Sequence, residues 1–255
     1  MNSLFEEYIR KEALPTLFCP GCGNGIVQQA AIRAIDKLGI RENTALVSGI
    51  GCSSWIPCYI NMDVMHTIHG RALAFATGLK LAQPDKNVMV FTGDGDCLAI
   101  GGNHFIHAAG RNIDITVIMV NNYIYGMTGG QKSPTTPMNA VTKTSPFGSI
   151  DYPLDGCALA NTLGASYVAR WTTAHPIQLE KSIKEGIETK GFSYIEVLAQ
   201  CPVQGGKNVY GEKEPAAILR KYRDMAKEGT VSLGVLKSEK TKEEYVERLR
   251  KKETL

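Results

Sequence analysis

Two apolar runs, Val88-Met89-Val90-Phe91-Thr92 and residues 113–120, bracket a stretch of helical spacing at residues 97–110. A strand that is apolar at nearly every position must be covered on both faces. Strand, helix, strand in that order is the crossover unit of a parallel sheet, because parallel neighbours need a long connection. The alternation continues in both directions. Asn24–Leu38 places Val27, Ala30, Ala31, Ala34, Ile35 and Leu38 on one side, with Gly39 as its stop. Thr44–Ser48 reads as a short strand, and residues 71–83 as a helix ended by Pro84. Residues 155–163 read as a helix and 166–170 as a strand. Thr173 is the expected N-cap of a helix over 174–190 with Gly191 as its terminal glycine, and Ser193–Leu198 is the last strand. The expected fold class is α/β, a parallel sheet with helices on both faces.

The chain has 255 residues, 44% of them hydrophobic, enough for one substantial core. Residues 1–205 are expected to form that domain, and 206–255 a C-terminal helical extension. Residues 237–252 are dense in Lys, Arg and Glu and read as a solvated helix or as an arm packed on a partner subunit. A net charge of +3 without a basic aromatic stripe gives no reason to expect a nucleic-acid partner. Residues 1–12 contain no signal-peptide core, and no run approaches the ~18 apolar residues of a membrane span. The expected location is cytoplasmic, with no membrane partner. There, seven cysteines are metal ligands, redox groups or buried thiols rather than disulfides.

Residues 123–151 break the pattern with many Gly, Pro, Ser and Thr residues. A loop this long is usually functional, and it begins where open α/β sheets bind ligands, beyond the carboxyl ends of the strands. Gly93-Asp94-Gly95 closes the first motif strand and Asn121-Asn122 the second. The Asp94 carboxylate, the Asn122 amide oxygen and the Ile124 carbonyl can supply three of the roughly six oxygens that Mg²⁺ requires. The glycines let a diphosphate approach the backbone. Alone, the triplet is also an ordinary turn signal; in its strand–helix–strand context it reads as a site for thiamine diphosphate.

Cys19-Pro20-Gly21-Cys22-Gly23 is a tight Cys-x-x-Cys, Cys52 follows the end of a strand, and Cys201-Pro202 follows the last one. Four thiolates from three loops suit a tetrahedral zinc or a four-iron, four-sulfur cluster, and the spacing does not separate the two. A redox group has a chemical use beside thiamine, which favours the cluster. Cys58, Cys97 and Cys157 read as small buried hydrophobes. His69 reads either as a hydrogen-bond donor to the diphosphate or substrate, or as a structural residue. His104 and His107 read as structural.

The set Cys-Pro-Gly-Cys-Gly (19–23), Gly-Ile-Gly-Cys-Ser-Ser (49–54), His-Gly-Arg-Ala-Leu (69–73), Gly-Asp-Gly-Asp (93–96) and Asn-Asn-Tyr-Ile-Tyr-Gly-Met-Thr-Gly-Gly-Gln (121–131) resembles the β subunits of 2-oxoacid:ferredoxin oxidoreductases. The resemblance spans about residues 15–205. It is strongest for the 2-oxoglutarate type, through residues 69–80 and 101–107. It implies the diphosphate-binding fold of thiamine enzymes, with Mg²⁺ on Asp94, Asn122 and Ile124. It implies that Cys19, Cys22, Cys52 and Cys201 hold a 4Fe-4S cluster. Ile50, Gly51, Cys52, Ser53, His69, Gly95, Asp96, Gly126 and Met127 would line the thiamine cofactor, with His69 in a catalytic position.

The implied reaction is oxidative decarboxylation of a 2-oxoacid with coenzyme A, reversible, with electrons leaving through the cluster to ferredoxin. Such enzymes need a second module that binds the aminopyrimidine and supplies a glutamate. No second module is visible in the sequence, so a separate α subunit is the expected partner. The substrate is expected to be 2-oxoglutarate, although only Arg71 suggests a cation for a distal carboxylate; pyruvate and branched-chain 2-oxoacids therefore stay open. Trp55 and Met127 are expected pocket walls. A non-redox thiamine-dependent decarboxylase subunit and a zinc-stabilised, non-catalytic scaffold subunit are the rival readings.

Overall fold

The computed structural model describes residues 3–240 and 242–253. Met1, Asn2, Thr241, Thr254 and Leu255, at the N-terminus and in the expected extension, lie outside the described residues. The strands are Thr44–Ser48 (β1), Asp63–His66 (β2), Asn87–Gly93 (β3), Thr116–Asn121 (β4), Ile124–Tyr125 (β5), Gln131–Lys132 (β6), Tyr167–Thr172 (β7), Ser193–Leu198 (β8) and Gly234–Ser238 (β9). The α-helices are Leu4–Tyr8 (α1), Asn24–Leu38 (α2), Ala72–Ala82 (α3), Gly102–Arg111 (α4), Gly156–Thr162 (α5), Pro176–Glu188 (α6), Gly206–Tyr210 (α7), Pro215–Glu228 (α8) and Tyr245–Glu253 (α9). Seven strands form one sheet in the order β2-β1-β3-β4-β8-β7-β9, parallel throughout except for β9.

Successive side chains of a strand point to opposite faces, and here both faces are apolar. Met89 and Phe91 pack with α2 and α6 on one side, while Val88 and Val90 pack with α3 and α4 on the other. The sheet with helices on both faces is as expected. Among the described residues, no helix is long and apolar enough to cross a membrane.

Several boundaries differ from expectation. The crossover helix begins earlier and is broken: residues Gly95–Ile100 form a π-helical segment, and α4 follows Gly101. Gly101 is required at the break, because a Cβ there would stand 2.4 Å from the Asp96 carbonyl oxygen. A π segment widens the first turn after Asp94, a distortion often found at functional sites. Thr173 is not the cap of α6. His175 holds that position, Pro176 starts the helix, and the Thr173 hydroxyl bonds the Gln200 side chain instead. The extension is helical at α7, α8 and α9, but between them β9 returns to pair antiparallel with β7. The largely exposed edge strand β2 and the β5–β6 hairpin were not expected.

Candidate functional site

The ends of β1, β3, β4 and β8 meet at the carboxyl edge of the sheet, and two cavities open there. A cleft of about 100 Å³ is bordered by Ile50, Gly51, Cys52, Ser53, His69, Gly95, Asp96, Gly126 and Met127, together with Asp94, Asn122 and Ile124. Every residue expected at the thiamine and Mg²⁺ positions therefore lies on one surface. Asp94 is buried at the junction of β3 and the π segment. Burial raises its carboxyl pKa to about 6, against hydrogen bonds from Ser133 and Thr135 that favour the charged form. The Thr135 hydroxyl lies 2.6 Å from Asp94 Oδ2. Beyond β4, Tyr123 takes the left-handed conformation with φ 64°, and the Ile124 amide donates to Asn122 Oδ1 at 3.2 Å. This turn folds the asparagine side chain and Ile124 back toward Asp94. Gly95 is a close-approach glycine, since a Cβ would stand 2.2 Å from the Tyr125 ring.

Asp96 also borders the cleft, but the protein occupies its carboxylate. It accepts from the Gly70 amide at 2.7 Å, the Ile50 amide at 3.2 Å and the Thr92 hydroxyl at 2.6 Å. Its fourth partner is His69 Nδ1 at 2.5 Å. A carboxylate partner requires the proton on Nδ1, which fixes the ring and leaves Nε2 as the nitrogen available to a ligand. Tyr125 packs edge-on against the imidazole, with centroids 6.1 Å apart.

The second cavity, about 400 Å³, brings Cys19, Cys22, Cys52 and Cys201 together with Leu17, Phe18, Trp55 and Met127. Burial is the main cause that raises the thiol pKa of Cys22 to about 12 and of Cys52 to about 11, and it also raises that of Cys201. Such thiols ionise only when a metal displaces their protons. Among the described residues, the only three metal-ligating side chains with atoms within 4.8 Å of one another are Asp155, Cys157 and Glu196. The four cysteines line one apolar space. Arg170 already bridges the Asp155–Glu196 group, with Nε 2.7 Å from Glu196. Burial opposes the Arg170 charge, but Glu196 holds it cationic. Cys97 and Cys157 are buried, as expected of small hydrophobes, whereas Cys58 is half-exposed beside His66.

Cys52, Asn122, Gly126 and Met127 line both cavities. A Cβ on Gly126 would stand 3.6 Å from the sulfurs of both Cys52 and Cys201.

Residues 49–197 match the thiamine pyrophosphate enzyme C-terminal TPP binding domain. The chain is 53% identical to 2-oxoglutarate synthase subunit KorB of Methanocaldococcus jannaschii, over 96% of this chain and 95% of that protein. The chain belongs to the 2-oxoacid:ferredoxin oxidoreductase β-subunit family. It is also 41% identical to the 2-oxoacid:ferredoxin oxidoreductase subunit beta of Saccharolobus solfataricus, over 87% of this chain and 76% of that one. A solved structure of the 2-oxoglutarate:ferredoxin oxidoreductase from Magnetococcus marinus, with 2-oxoglutarate, coenzyme A and succinyl-CoA bound, is similar with a TM-score of 0.87 at 33% identity. That likeness covers 98% of this chain and 89% of that one. As a 2-oxoacid:ferredoxin oxidoreductase β subunit, the chain has the fold of a thiamine diphosphate enzyme.

Reading this family's motifs in the sequence missed the supports behind them. Thr135 sits in the long loop, yet its hydroxyl reaches both Asp94 and Asn121, the latter at 2.9 Å. Asn121 in turn donates to Glu196 at 2.6 Å, and Glu196 pairs with Arg170. The doubled asparagine was the one available signal: Asn122 borders the cleft, while Asn121 is tied inward.

Proposed function

We propose that this chain is the β subunit of a 2-oxoglutarate:ferredoxin oxidoreductase. It acts with an α subunit to convert 2-oxoglutarate and coenzyme A to succinyl-CoA and carbon dioxide, and the pathway can run in reverse. A 4Fe-4S cluster on the four cysteines would supply the one-electron path to ferredoxin. The observation that carries this reading is the shared wall: a cleft with a buried carboxylate and a cavity with four thiols meet at Cys52, Asn122, Gly126 and Met127.

Asp94, Asn122 and the Ile124 carbonyl would hold Mg²⁺, and Cys19, Cys22, Cys52 and Cys201 the cluster. Bound thiamine diphosphate supplies the electron sink for loss of carbon dioxide. The chain's own residues bind and orient. Gly95 keeps the backbone bare beside the diphosphate. His69, fixed by Asp96, offers Nε2 to take or give a proton at the reacting end of the cofactor. Phe18 and Trp55 keep the thiol cavity apolar. All seven cysteines are free, which suits a reducing cytoplasm.

Among the described residues, neither cavity is lined by Lys or Arg. Arg71 is exposed, and its guanidinium donates to the His69 carbonyl at 3.3 Å. The cation for the distal carboxylate is therefore assigned to the α subunit. The test is anaerobic purification with the co-purifying partner, followed by iron, sulfide and thiamine assays and a panel of 2-oxoacids. Iron, sulfide and thiamine together, with 2-oxoglutarate the best substrate, are expected. Zinc without iron, or turnover by the β chain alone, would overturn the reading.

A further inference from the structure

The motifs leave the C-terminal extension without a role, yet it touches three of the loops that carry them. Its first turn grows directly from a cysteine: the Gly205 and Gly206 amides both donate to the Cys201 carbonyl at 3.0 Å. Its second helix presses on the Cys-x-x-Cys turn, where a Cβ on Gly21 would stand 2.2 Å from Pro215. Gly21 has φ 75°, so both space and backbone conformation favour glycine there.

The third contact is the most specific. The Tyr210 hydroxyl, at the end of α7, lies 2.9 Å from the Asn122 carbonyl and 3.1 Å from the Ala199 carbonyl. Asn122 follows β4 and carries the amide that faces the diphosphate cleft. Ala199 follows β8, two residues before Cys201. One phenol therefore joins the loop of the metal ligand to the loop of the cluster ligand. Its ring is held between Tyr123 at 6.1 Å and Tyr222 at 6.4 Å, and Gly205 leaves space for it.

We propose that the C-terminal extension is a clamp that fixes the diphosphate half and the thiol half of the site relative to each other, with Tyr210 as its positioning residue. The inference rests on the proposed function, because it needs both cofactors to be present. It predicts that a single hydroxyl, outside both cavities, affects two different cofactors at once.

The test compares wild type, Tyr210→Phe and Tyr245→Phe, each co-purified anaerobically with the partner subunit. Iron, sulfide and thiamine in the wild-type complex decide the proposed function; the ratios between variants decide the clamp. Tyr210→Phe keeps the ring and removes the one phenolic proton that the two carbonyls share, a loss of about 1 kcal/mol, or about fivefold. The thiamine diphosphate concentration for half-maximal activity should rise by that factor, and the electron paramagnetic resonance spectrum of the reduced cluster should shift. Tyr245→Phe removes a phenol hydroxyl elsewhere in the same extension without touching either loop, and should match wild type. The proposal is overturned if either readout of Tyr210→Phe stays at its wild-type value, or if Tyr245→Phe changes both equally. Should the buried phenylalanine prevent assembly, Pro215→Ala loosens the same clamp at the Gly21 turn. An altered cluster spectrum is then expected, and an unaltered one overturns the proposal.

Discussion

The two cavities at the sheet edge are built on opposite principles. In the diphosphate cleft, protein donors already hold the carboxylates: Asp96 has four, while Asp94 has the Thr135 hydroxyl and stays under-solvated, its pKa raised by burial. In the thiol cavity, the four sulfurs face an apolar space between Leu17, Phe18 and Trp55, and burial keeps Cys22 and Cys52 protonated. The first is preorganised by hydrogen bonds and needs a ligand only to neutralise it. The second is a set of buried thiols that only a metal centre would deprotonate. The two halves should therefore fail independently when a residue lining only one of them is changed.

The largest separation is expected from Cys22→Ser, because Cys22 lines only the thiol cavity. Ferredoxin reduction should fall on the order of 100-fold or more, with iron lost, while thiamine diphosphate binding by isothermal calorimetry changes little. A parallel loss of thiamine binding would show that the halves are not separable. Asp94→Asn should produce the mirror image: Mg²⁺-dependent thiamine binding weaker by roughly 100-fold, with iron content retained.

Asp94 also makes a stability prediction. Its folded pKa of about 6 lies above the ordinary value of 3.8, so the folded apo chain prefers the protonated form. That contribution is complete below the ordinary value and is lost as pH rises through about 6. In chelator, Asp94→Asn should be more stable than wild type by about 2–3 kcal/mol at neutral pH, and the gain should vanish in acid. Denaturant titrations at several pH values measure it, and a gain that persists in acid would assign it to another cause. For the same reason, Mg²⁺ affinity should drop as pH falls through about 6. The smallest effect is expected from Thr135→Val, which keeps the shape but removes the bond to Asp94; Mg²⁺ affinity should fall about tenfold with the cluster spectrum unchanged.

Much of the sheet was legible because its strands are apolar on both faces. Thr44–Ser48 and Ser193–Leu198 stand where the apolar pattern puts them. Gly39 takes the left-handed conformation that ends α2. That Asp94 and Asn122 would border one cleft was legible because each residue closes such a strand. The break at Gly101 was hidden, since a π segment and an α-helix share nearly the same apolar spacing. Strand β9 was hidden because it pairs antiparallel at an edge and leaves most of its residues partly in water. Thr173 misled because a threonine before an apolar run suits a cap, while Pro176 was the better marker of the helix start. Thr135 and Tyr210 act through contacts between segments far apart in sequence, and no local pattern announces those.

Gly126 has one more consequence. With Gly126 in the dividing wall, the partition between the two compartments is a bare peptide at that point. Its thickness is set by covalent geometry, not by side-chain choice. A side chain at this position would stand against both the Cys52 and Cys201 sulfurs, so a substitution here can thicken the partition but not thin it.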